Sequence, residues 1–436
     1  MIKISKKALV STMAIAFVFS IAFQTIALAN NLDSRQFIWG KHWFAMPEER
    51  NFPSLNITSY YHPFHVEREF WHGGTVSVTG ASNYNFDDTE VLLRGRGNST
   101  WWFSNAYTKR PLRLRFDTEN QQLLGIPYAH RDFILLAHHF DPSLLRTEFG
   151  FYLSYLLDTM LWTPTHGQFV NLYINGNYYG VYQLTDERDL SYGRIPIVIH
   201  EDPSLSEFVL EDGFEGSEDS HFQVGTRSYE IRFPSGSGRT QAHIEYAKNF
   251  MTNVHDTIQN GTFEDILQLV DIQTLIDFYL IQEIIRNVDT SVSNSTFLSL
   301  QGSGENRRLH FGFVWDLDGT LGNTSANNGH IPTGLVMRDQ FLLIAPIFQH
   351  QEFIYLLNQR FNEIYDDYIP QVIERIIYLT EQYEQNWNRN FTLHSFDNPG
   401  TLHRDEIRFA ESHAEQVQIL LDWLDTRLEY LHPFFQ

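Results

Sequence analysis

The spacing of apolar residues divides the chain into a strand-rich first half and a helix-rich second half. Between about 70 and 135, apolar and polar residues alternate in short runs such as EVLLRGRG and RPLRLRFD, and this two-residue period predicts β-strands. VNLYINGNYYGVYQLTD predicts a hairpin, because Asn175-Gly176 suits a tight primed turn. Beyond about 245, apolar residues recur every three or four positions, which predicts helices.

Polar residues mark where several of these elements begin. Asp141-Pro142 predicts a helix through about Asp158, because Asp caps helices and Pro favours the first helical position. Asp271 predicts the cap of a second helix. Glu283 falls on the apolar stripe of that helix. Since acids are rarely buried without a partner, we favour an ion pair with an arginine over a role in the chemistry of a site. STFLSLQGSGENRRLHFGFVW predicts a hairpin with the loop 302–306 at its tip.

These elements predict an α+β fold with two lobes. At 436 residues the chain exceeds the usual size of a single hydrophobic core. We expect residues 30–200 to form a β-rich N-terminal lobe and residues 246–436 a mainly helical C-terminal lobe with an embedded β-hairpin. Residues 201–245 are acidic and rich in Gly and Ser, and they are the best candidate for a mobile insert between the lobes.

Residues 1–29 have the pattern of an export signal. Lys3, Lys6 and Lys7 precede the apolar stretch ALVSTMAIAFVFSIAF, and Ala27-Leu28-Ala29 is typical of a cleavage site. An uncleaved membrane anchor is the alternative. No later stretch is long and apolar enough to cross a bilayer, so we expect a secreted or surface protein with no stable membrane span after cleavage.

Charge and composition exclude several functions. Removal of the three signal lysines takes the net charge from −22 to −25, which argues against nucleic acid as a partner. The chain has no cysteine, which excludes thiol catalysis and cysteine metal sites. Beyond the signal, the only lysines are Lys41, Lys109 and Lys248, so a mechanism that needs a lysine has three candidates.

The stretch FGFVWDLDGTLGNTS, residues 311–325, has two incompatible interpretations. Asp316 in Asp-Leu-Asp-Gly-Thr is either the phosphorylated nucleophile of a haloacid-dehalogenase phosphatase or a metal ligand that never reacts. The phosphatase needs alternating strands and helices after the motif, together with a later lysine. Here helical patterns follow and no lysine lies beyond Lys248, so the metal-ligand interpretation is favoured. Phe313 and Trp315 are expected in the core.

A kinase-like arrangement lies just upstream of the same strand. Asp289 is followed five positions later by Asn294, the spacing of a kinase loop in which Asp receives or orients the hydroxyl proton and Asn holds a metal. The predicted hairpin then leads to Asp316. Two acids and an amide are suitable ligands for Mg²⁺. Asp318 is a candidate second ligand, although its role could be limited to capping the Gly319-Thr320 turn.

Phosphoryl transfer also needs a cation on the nucleotide phosphates. RGRGNSTWWFSNAYTKRPLRLRFD offers a Gly-rich turn at Gly95 and Gly97 and the hydroxyl of Ser99. Lys109 precedes the next strand, in a position like that of the strand lysine of kinases. Arg113 and Arg146 are further nucleotide-binding candidates, although Arg146 is as consistent with an ion pair. A surface hairpin with basic edges is the alternative for the whole segment.

With these residues in place, the sequence resembles the CotH (spore-coat protein H) kinases, an atypical family of secreted or surface protein kinases. The resemblance rests on RGRGNSTW, TKRPLRLRFD, FILLAHHFDPSLLRTEF, FVNLYINGNYYGVYQLTDE, LIQEIIRNVD and GFVWDLDGTLGN, in the family's order over roughly residues 50–360. It implies a two-lobed protein-kinase-like fold, binding of ATP and Mg²⁺ or Mn²⁺, and phosphorylation of Ser or Thr on secreted or spore-coat proteins.

The same resemblance implies roles for individual residues. By position, Asp289 resembles the catalytic aspartate, Asp316 the metal aspartate and Lys109 the lysine of the nucleotide phosphates, and Asn98 and Ser99 belong to the Gly-Asn-Ser loop.

The chain also departs from the family pattern. QLTDER has Asp186 where the family usually has Glu, with Glu187 next to it, so the sequence leaves open which acid, if any, orients Lys109. A non-catalytic coat or surface assembly protein on a kinase-like scaffold is the alternative function.

Overall fold

The computed structural model describes residues 51–61, 67–81, 84–97, 99–102, 109–117, 123–126, 129–163, 168–190, 194–213, 219–291, 295–341, 343–394 and 410–436. The predicted export signal, residues 1–29, lies outside these ranges. The protein is a mixed α+β structure with a β-rich N-terminal region and a mainly helical C-terminal part.

A closed seven-stranded barrel makes up the N-terminal region. Its strands are β1 (Ser54–Ser59), β2 (His72–Thr79), β3 (Phe86–Gly95), β4 (Leu112–Phe116), β5 (Asp132–Leu136), β6 (Gln168–Ile174) and β7 (Asn177–Asp186). Their order around the barrel is β1-β2-β3-β4-β5-β7-β6, and parallel pairing of β1 with β6 closes the circle. The predicted β6–β7 hairpin is confirmed, with Asn175 and Gly176 both at positive φ.

Alternation along the barrel strands separates its core from its outer surface. In β4, Leu112, Leu114 and Phe116 are buried and join the aliphatic and aromatic cluster inside the barrel. Arg113 and Arg115, at the positions between them, are only partly buried on the outer face. The two-residue period of a strand thus brings arginines of neighbouring strands together on one outer face, where Arg94 of β3 is directly opposite Arg113.

A second sheet of five antiparallel strands follows. It contains β8 (Phe208–Asp212), β9 (His221–Val224), β10 (Arg227–Phe233), β11 (Thr296–Gln301) and β12 (Arg308–Phe311), in the order β12-β11-β8-β10-β9. The predicted β11–β12 hairpin is confirmed, and β9 and β10 form a second hairpin. Residues 201–245, predicted as an insert, therefore include three strands of this sheet. The sheet leads directly into Asp316, since β12 ends five residues before it.

Helices form most of the rest of the described chain. They are α1 (Ser99–Trp102), α2 (Arg146–Leu157), α3 (Gln241–Asn260), α4 (Phe263–Leu269), α5 (Ile272–Ile284), α6 (Val288–Ser291), α7 (Val336–Gln340), α8 (Gln351–Glu363), α9 (Ile369–Gln382), α10 (Glu384–Leu393) and α11 (His413–Leu431). Helix α2 packs against α5 and α9, and α10 packs against β7. In the described ranges, no helix combines the length and apolar character needed to cross a bilayer.

The helix predicted to begin at Pro142 begins instead at Arg146. Asp141 accepts hydrogen bonds from the backbone N–H of Ser143 at 2.9 Å and of Arg146 at 2.9 Å, so its carboxylate holds a turn before the helix. Leu144 in that turn has a φ of 58°, which is outside the helical region. The predicted cap of α5 is confirmed, because Asp271 accepts a 2.8 Å bond from the N–H of Thr274.

The expected ion pair of Glu283 is also confirmed. Its side chain is fully buried near the end of α5 and accepts a 2.7 Å bond from the guanidinium of Arg427 in α11. It also accepts the backbone N–H groups of Val336 and Met337 at the start of α7, at 2.8 and 2.9 Å. One carboxylate therefore joins three helices of the C-terminal part.

Candidate active site

The loop that follows β12 carries two of the predicted metal ligands, and we call residues 316–320 the aspartate loop. Asp316 has a φ of 61°, in the left-handed region that residues other than glycine rarely adopt. Its carboxylate accepts a 3.1 Å bond from the hydroxyl of Ser295, and its side chain is exposed to a cleft. Backbone strain of this kind concentrates at functional sites.

Buried side chains on either side of Asp316 fix the aspartate loop. Phe313 and Trp315 are buried, as predicted, and Phe313 packs edge-on against Trp162 with ring centroids 4.6 Å apart. Leu317 is 1% exposed. Its terminal methyl occupies the space that a β-carbon of Gly150 would need, so the absence of a side chain at Gly150 in α2 lets the loop approach the helix.

Arg146 holds the far end of the aspartate loop. Its guanidinium is 1% exposed and forms an ion pair with Asp141 at 2.6 Å. The same group donates to the carbonyl oxygens of Thr320 and Leu321, at 3.1 and 3.4 Å. The sequence was equally consistent with a nucleotide contact and with an ion pair for Arg146. The structure gives it the ion pair, and Arg146 does not line the cleft.

Asp289 lies in the short helix α6 and is exposed to the same cleft. The side-chain oxygen of Asn287 accepts the backbone N–H groups of Asp289 and Thr290, at 3.1 and 3.2 Å, and so fixes the turn. The surrounding protein raises the pKa of Asp289 above its ordinary value, and the negative charge of Asp316 raises it further.

Asp289, Asp316 and Asp318 are brought together as a group that we call the acidic triad. Burial raises the pKa of Asp318 to about 8, and the charges of Asp316, Asp141 and Asp289 add to the effect. Within the described chain, no arginine or lysine forms an ion pair with any of the three carboxylates. Unneutralised carboxylates in one place are a suitable oxygen ligand set for Mg²⁺ or Mn²⁺, and these residues therefore fit the implied metal.

The acidic triad forms one part of a cleft of about 700 Å³. Six arginines line the same cleft: Arg68, Arg94, Arg96, Arg113, Arg188 and Arg232. Three of these are paired with acids, namely Arg68 with Glu69, Arg113 with Asp132 and Glu187, and Arg232 with Glu211.

Arg94, Arg96 and Arg188 form no ion pair with any residue in the described ranges. Arg94 lies 4.7 Å from the ring centroid of Trp71, and burial lowers its pKa, as do the positive charges of Arg113 and Arg115. Burial also lowers the pKa of Arg96. The cleft thus contains both arginines and aspartates that form no ion pair with any residue the structure describes.

Lys109 is not among the residues that line the cleft. It is 3% exposed, its Nζ lies 4.9 Å from the ring centroid of Tyr182, and that atom makes no hydrogen bond in the described structure. Burial lowers the pKa of Lys109 to about 7, an effect that the charge of Asp141 partly offsets.

Neither acid proposed to orient Lys109 contacts it. Asp186 accepts a 3.3 Å bond from the indole N–H of Trp162, and Glu187 lies 3.5 Å from Arg113. Among the described residues, the acid whose charge raises the pKa of Lys109 is Asp141.

The remaining predicted site residues are only partly described. Asn98 and Asn294 lie outside the described residues. The backbone of Ser99 begins α1, while its side chain is not described. Arg113 lines the cleft as predicted, although its guanidinium is 3.0 Å from Asp132. The sequence analysis did not select Arg94 and Arg96 as site residues, although the alternation of Arg and Gly in RGRG was an available signal. No local pattern indicates that Arg188 belongs to the site.

A second group of possible metal ligands consists of His130, Asp132 and Asp189. Here arginines already balance the acids, because Asp132 pairs with Arg113 and Arg115 at 3.0 and 2.8 Å. Nδ1 of His130 accepts a bond from Arg194 at 2.8 Å, which occupies a ligand atom. The acidic triad therefore fits a divalent cation better than this group does.

A comparison with protein-family models places the chain in a known family. The family model described as CotH kinase protein matches residues 93–431, which include the arginines from Arg94 onward and the acidic triad. No curated protein matches the chain.

Proposed function

Because the chain belongs to the CotH kinase family, we propose that it is an exported Ser/Thr protein kinase that transfers the γ-phosphate of ATP to secreted or spore-coat proteins. One observation supports this most strongly: the same cleft is lined by arginines and by aspartates that form no ion pair with any residue in the described part of the chain. A metal–polyphosphate complex has a complementary charge for each group, since its cation can bind the aspartates and its phosphate oxygens can bind the arginines.

The proposed roles follow from where each side chain lies. Asp316 and Asp318 would hold Mg²⁺ or Mn²⁺, with Asn294 as the further ligand that the family resemblance implies. The bound cation would supply charge neutralisation on the phosphate oxygens. Asp289 would orient the acceptor hydroxyl and take its proton as the new oxygen–phosphorus bond forms and the bond to the ADP oxygen breaks. The raised pKa of Asp289 suits it to accept that proton.

The predicted division of the chain belongs to the same proposal. Residues 30–200 and 246–436 would be the two lobes of a kinase-like fold, with 201–245 between them and 1–29 removed on export. The helical character of the described chain after Asp316 supports a kinase over a haloacid-dehalogenase phosphatase, because the alternating strands that the phosphatase needs do not follow in those ranges.

Binding and transfer should be measured separately on the purified protein. Calorimetry with ATP and Mg²⁺ or Mn²⁺ should show metal-dependent binding, and incubation with labelled ATP and casein or myelin basic protein should label Ser or Thr. Asp289→Asn should abolish transfer while nucleotide affinity stays within a few-fold. Asp316→Asn should remove the metal-dependent part of binding.

Asp367→Asn, on the exposed surface after α8, is the matched control and should change neither quantity. A protein that binds no nucleotide with either metal would support the non-catalytic scaffold. Transfer at the parental rate by both site variants would refute the assigned roles.

A further inference from the structure

Two cleft arginines share one aromatic ring. The guanidinium of Arg188 lies 5.1 Å from the ring centroid of Trp315, and that of Arg96 lies 5.9 Å from the same ring. Arg188 also lies 4.9 Å from the ring of Phe297. Trp315 directly precedes Asp316, so both cations are positioned beside the acidic triad. We call Arg96 and Arg188 the arginine pair.

Aromatic support leaves the arginine pair able to bind a ligand. A guanidinium over an aromatic ring is held through its planar face, while its N–H groups point outward from the edge of that plane. Neither side chain uses those N–H donors in an ion pair within the described ranges. The nearby acid Glu187 is directed to Arg113 instead, at 3.5 Å.

The backbone around Arg96 is also fixed in advance. Its N–H donates to the carbonyl oxygen of Pro111 at 3.1 Å. Gly97 follows with a φ of 92°, and its carbonyl oxygen accepts a 3.0 Å bond from Arg68. A ligand would therefore meet a guanidinium that is already oriented, which reduces the ordering cost of binding.

We propose that the arginine pair, and not Lys109, binds the phosphates of the nucleoside triphosphate in this protein. This inference rests on the proposed kinase function and deepens it. Lys109 is 3% exposed and does not line the cleft, whereas both arginines do. The planar fork of arginine can also contact two phosphate oxygens at once, which the point charge of lysine cannot.

Calorimetry with two ligands tests the inference without measuring activity. Arg188→Ala and Arg96→Ala should each weaken binding of Mg²⁺–ATP and of Mg²⁺–tripolyphosphate by about 10- to 100-fold. Arg188→Lys keeps the charge and should recover only part of that loss. In transfer assays, both alanine variants should raise KM for ATP more than they lower kcat.

Arg389→Ala is the matched control. Arg389 lies 3.9 Å from the ring centroid of Tyr178 in the part of α10 that packs on β7, and it does not line the cleft. Its removal should leave the affinity for both ligands unchanged. Circular dichroism and thermal melting check that each variant folds. If Arg188→Ala does not fold, Arg188→Lys still tests the role of Arg188.

The outcomes separate the inference from the proposed function. Parental affinity of both alanine variants for tripolyphosphate, together with its loss in Lys109→Met, would overturn the role of the arginine pair while the kinase assignment stands. A parental protein that binds neither ligand would overturn both. Selective loss in the arginine variants, with Lys109→Met unchanged, is the expected result.

Discussion

The contact between Gly150 and Leu317 yields a prediction whose size can be worked from the structure. In Gly150→Ala, the new β-carbon would fall well inside van der Waals distance of the Leu317 methyl, while the next neighbour, Ile285, is 3.9 Å away. Leu317 is 1% exposed, so its displacement repacks the core beneath the aspartate loop. Overpacking costs about 1–3 kcal/mol, and the gain in helix propensity returns about 1 kcal/mol. We therefore expect a net loss of about 0–2 kcal/mol.

A double-mutant cycle isolates this contact. Leu317→Ala alone should lower the free energy of unfolding by about 2–5 kcal/mol, because it empties a buried site. In that background the clash is gone, and Gly150→Ala should stabilise by about 1 kcal/mol through helix propensity. The two changes should thus be coupled by about 1–3 kcal/mol.

Urea unfolding of the four proteins measures this coupling, and calorimetry of Mg²⁺–ADP adds a functional measurement. Gly150→Ala should weaken Mg²⁺–ADP binding, since Leu317 lies between Asp316 and Asp318. Additivity of the two substitutions within about 0.5 kcal/mol would refute the reasoning.

Three further predictions concern buried groups. Arg146→Met should lower the free energy of unfolding, measured in urea, by about 3–5 kcal/mol, because it leaves Asp141 buried without its partner. It should also weaken Mg²⁺–ADP binding in calorimetry, and unchanged Mg²⁺–ADP affinity would contradict the anchoring role of Arg146. Glu283→Gln should lower the free energy of unfolding by a similar amount, because it leaves Arg427 buried without its charge partner. The double variant Glu283→Leu with Arg427→Met should recover most of that loss in urea unfolding. Equal losses in the single and the double variant would count against a pairing effect. Burial lowers the pKa of His413 to about 4, so the unfolded chain takes up a proton near pH 6.5 that the folded chain resists. The free energy of unfolding should therefore fall by up to about 3 kcal/mol from pH 6.5 to 4. In urea titrations at each pH, His413→Asn should remove that part of the fall, and an unchanged pH dependence in this variant would refute the role of the imidazole.

Features with a local physical cause could be predicted from the sequence. The β6–β7 hairpin follows from Asn175-Gly176, and the start of α5 follows from the side chain of Asp271. The approach of Asp289 to Asp316 was expected from the spacing and the family resemblance. In each case the evidence lies within a few residues or in an ordered set of motifs.

Other features depend on partners far along the chain. Strand β1 is not apparent within the aromatic-rich residues 30–70, because its pairing with β6 completes it. The ligand-ready state of Arg188 depends on Trp315, and the anchoring role of Arg146 depends on the carbonyl oxygens of a distant loop. The burial of Lys109 beside Tyr182 likewise follows from barrel packing that no local pattern encodes.

The parallel pairing of β1 with β6 also constrains the order in which the protein can fold. Residues 54–59 must wait for residues 168–174 before the circle of strands can be completed. Until then, a chain growing from its N-terminus would have two open strand edges, which are sites for pairing with other chains. Contacts between segments so far apart in sequence form slowly, so aggregation would compete with folding until β6 and β7 have both been synthesised.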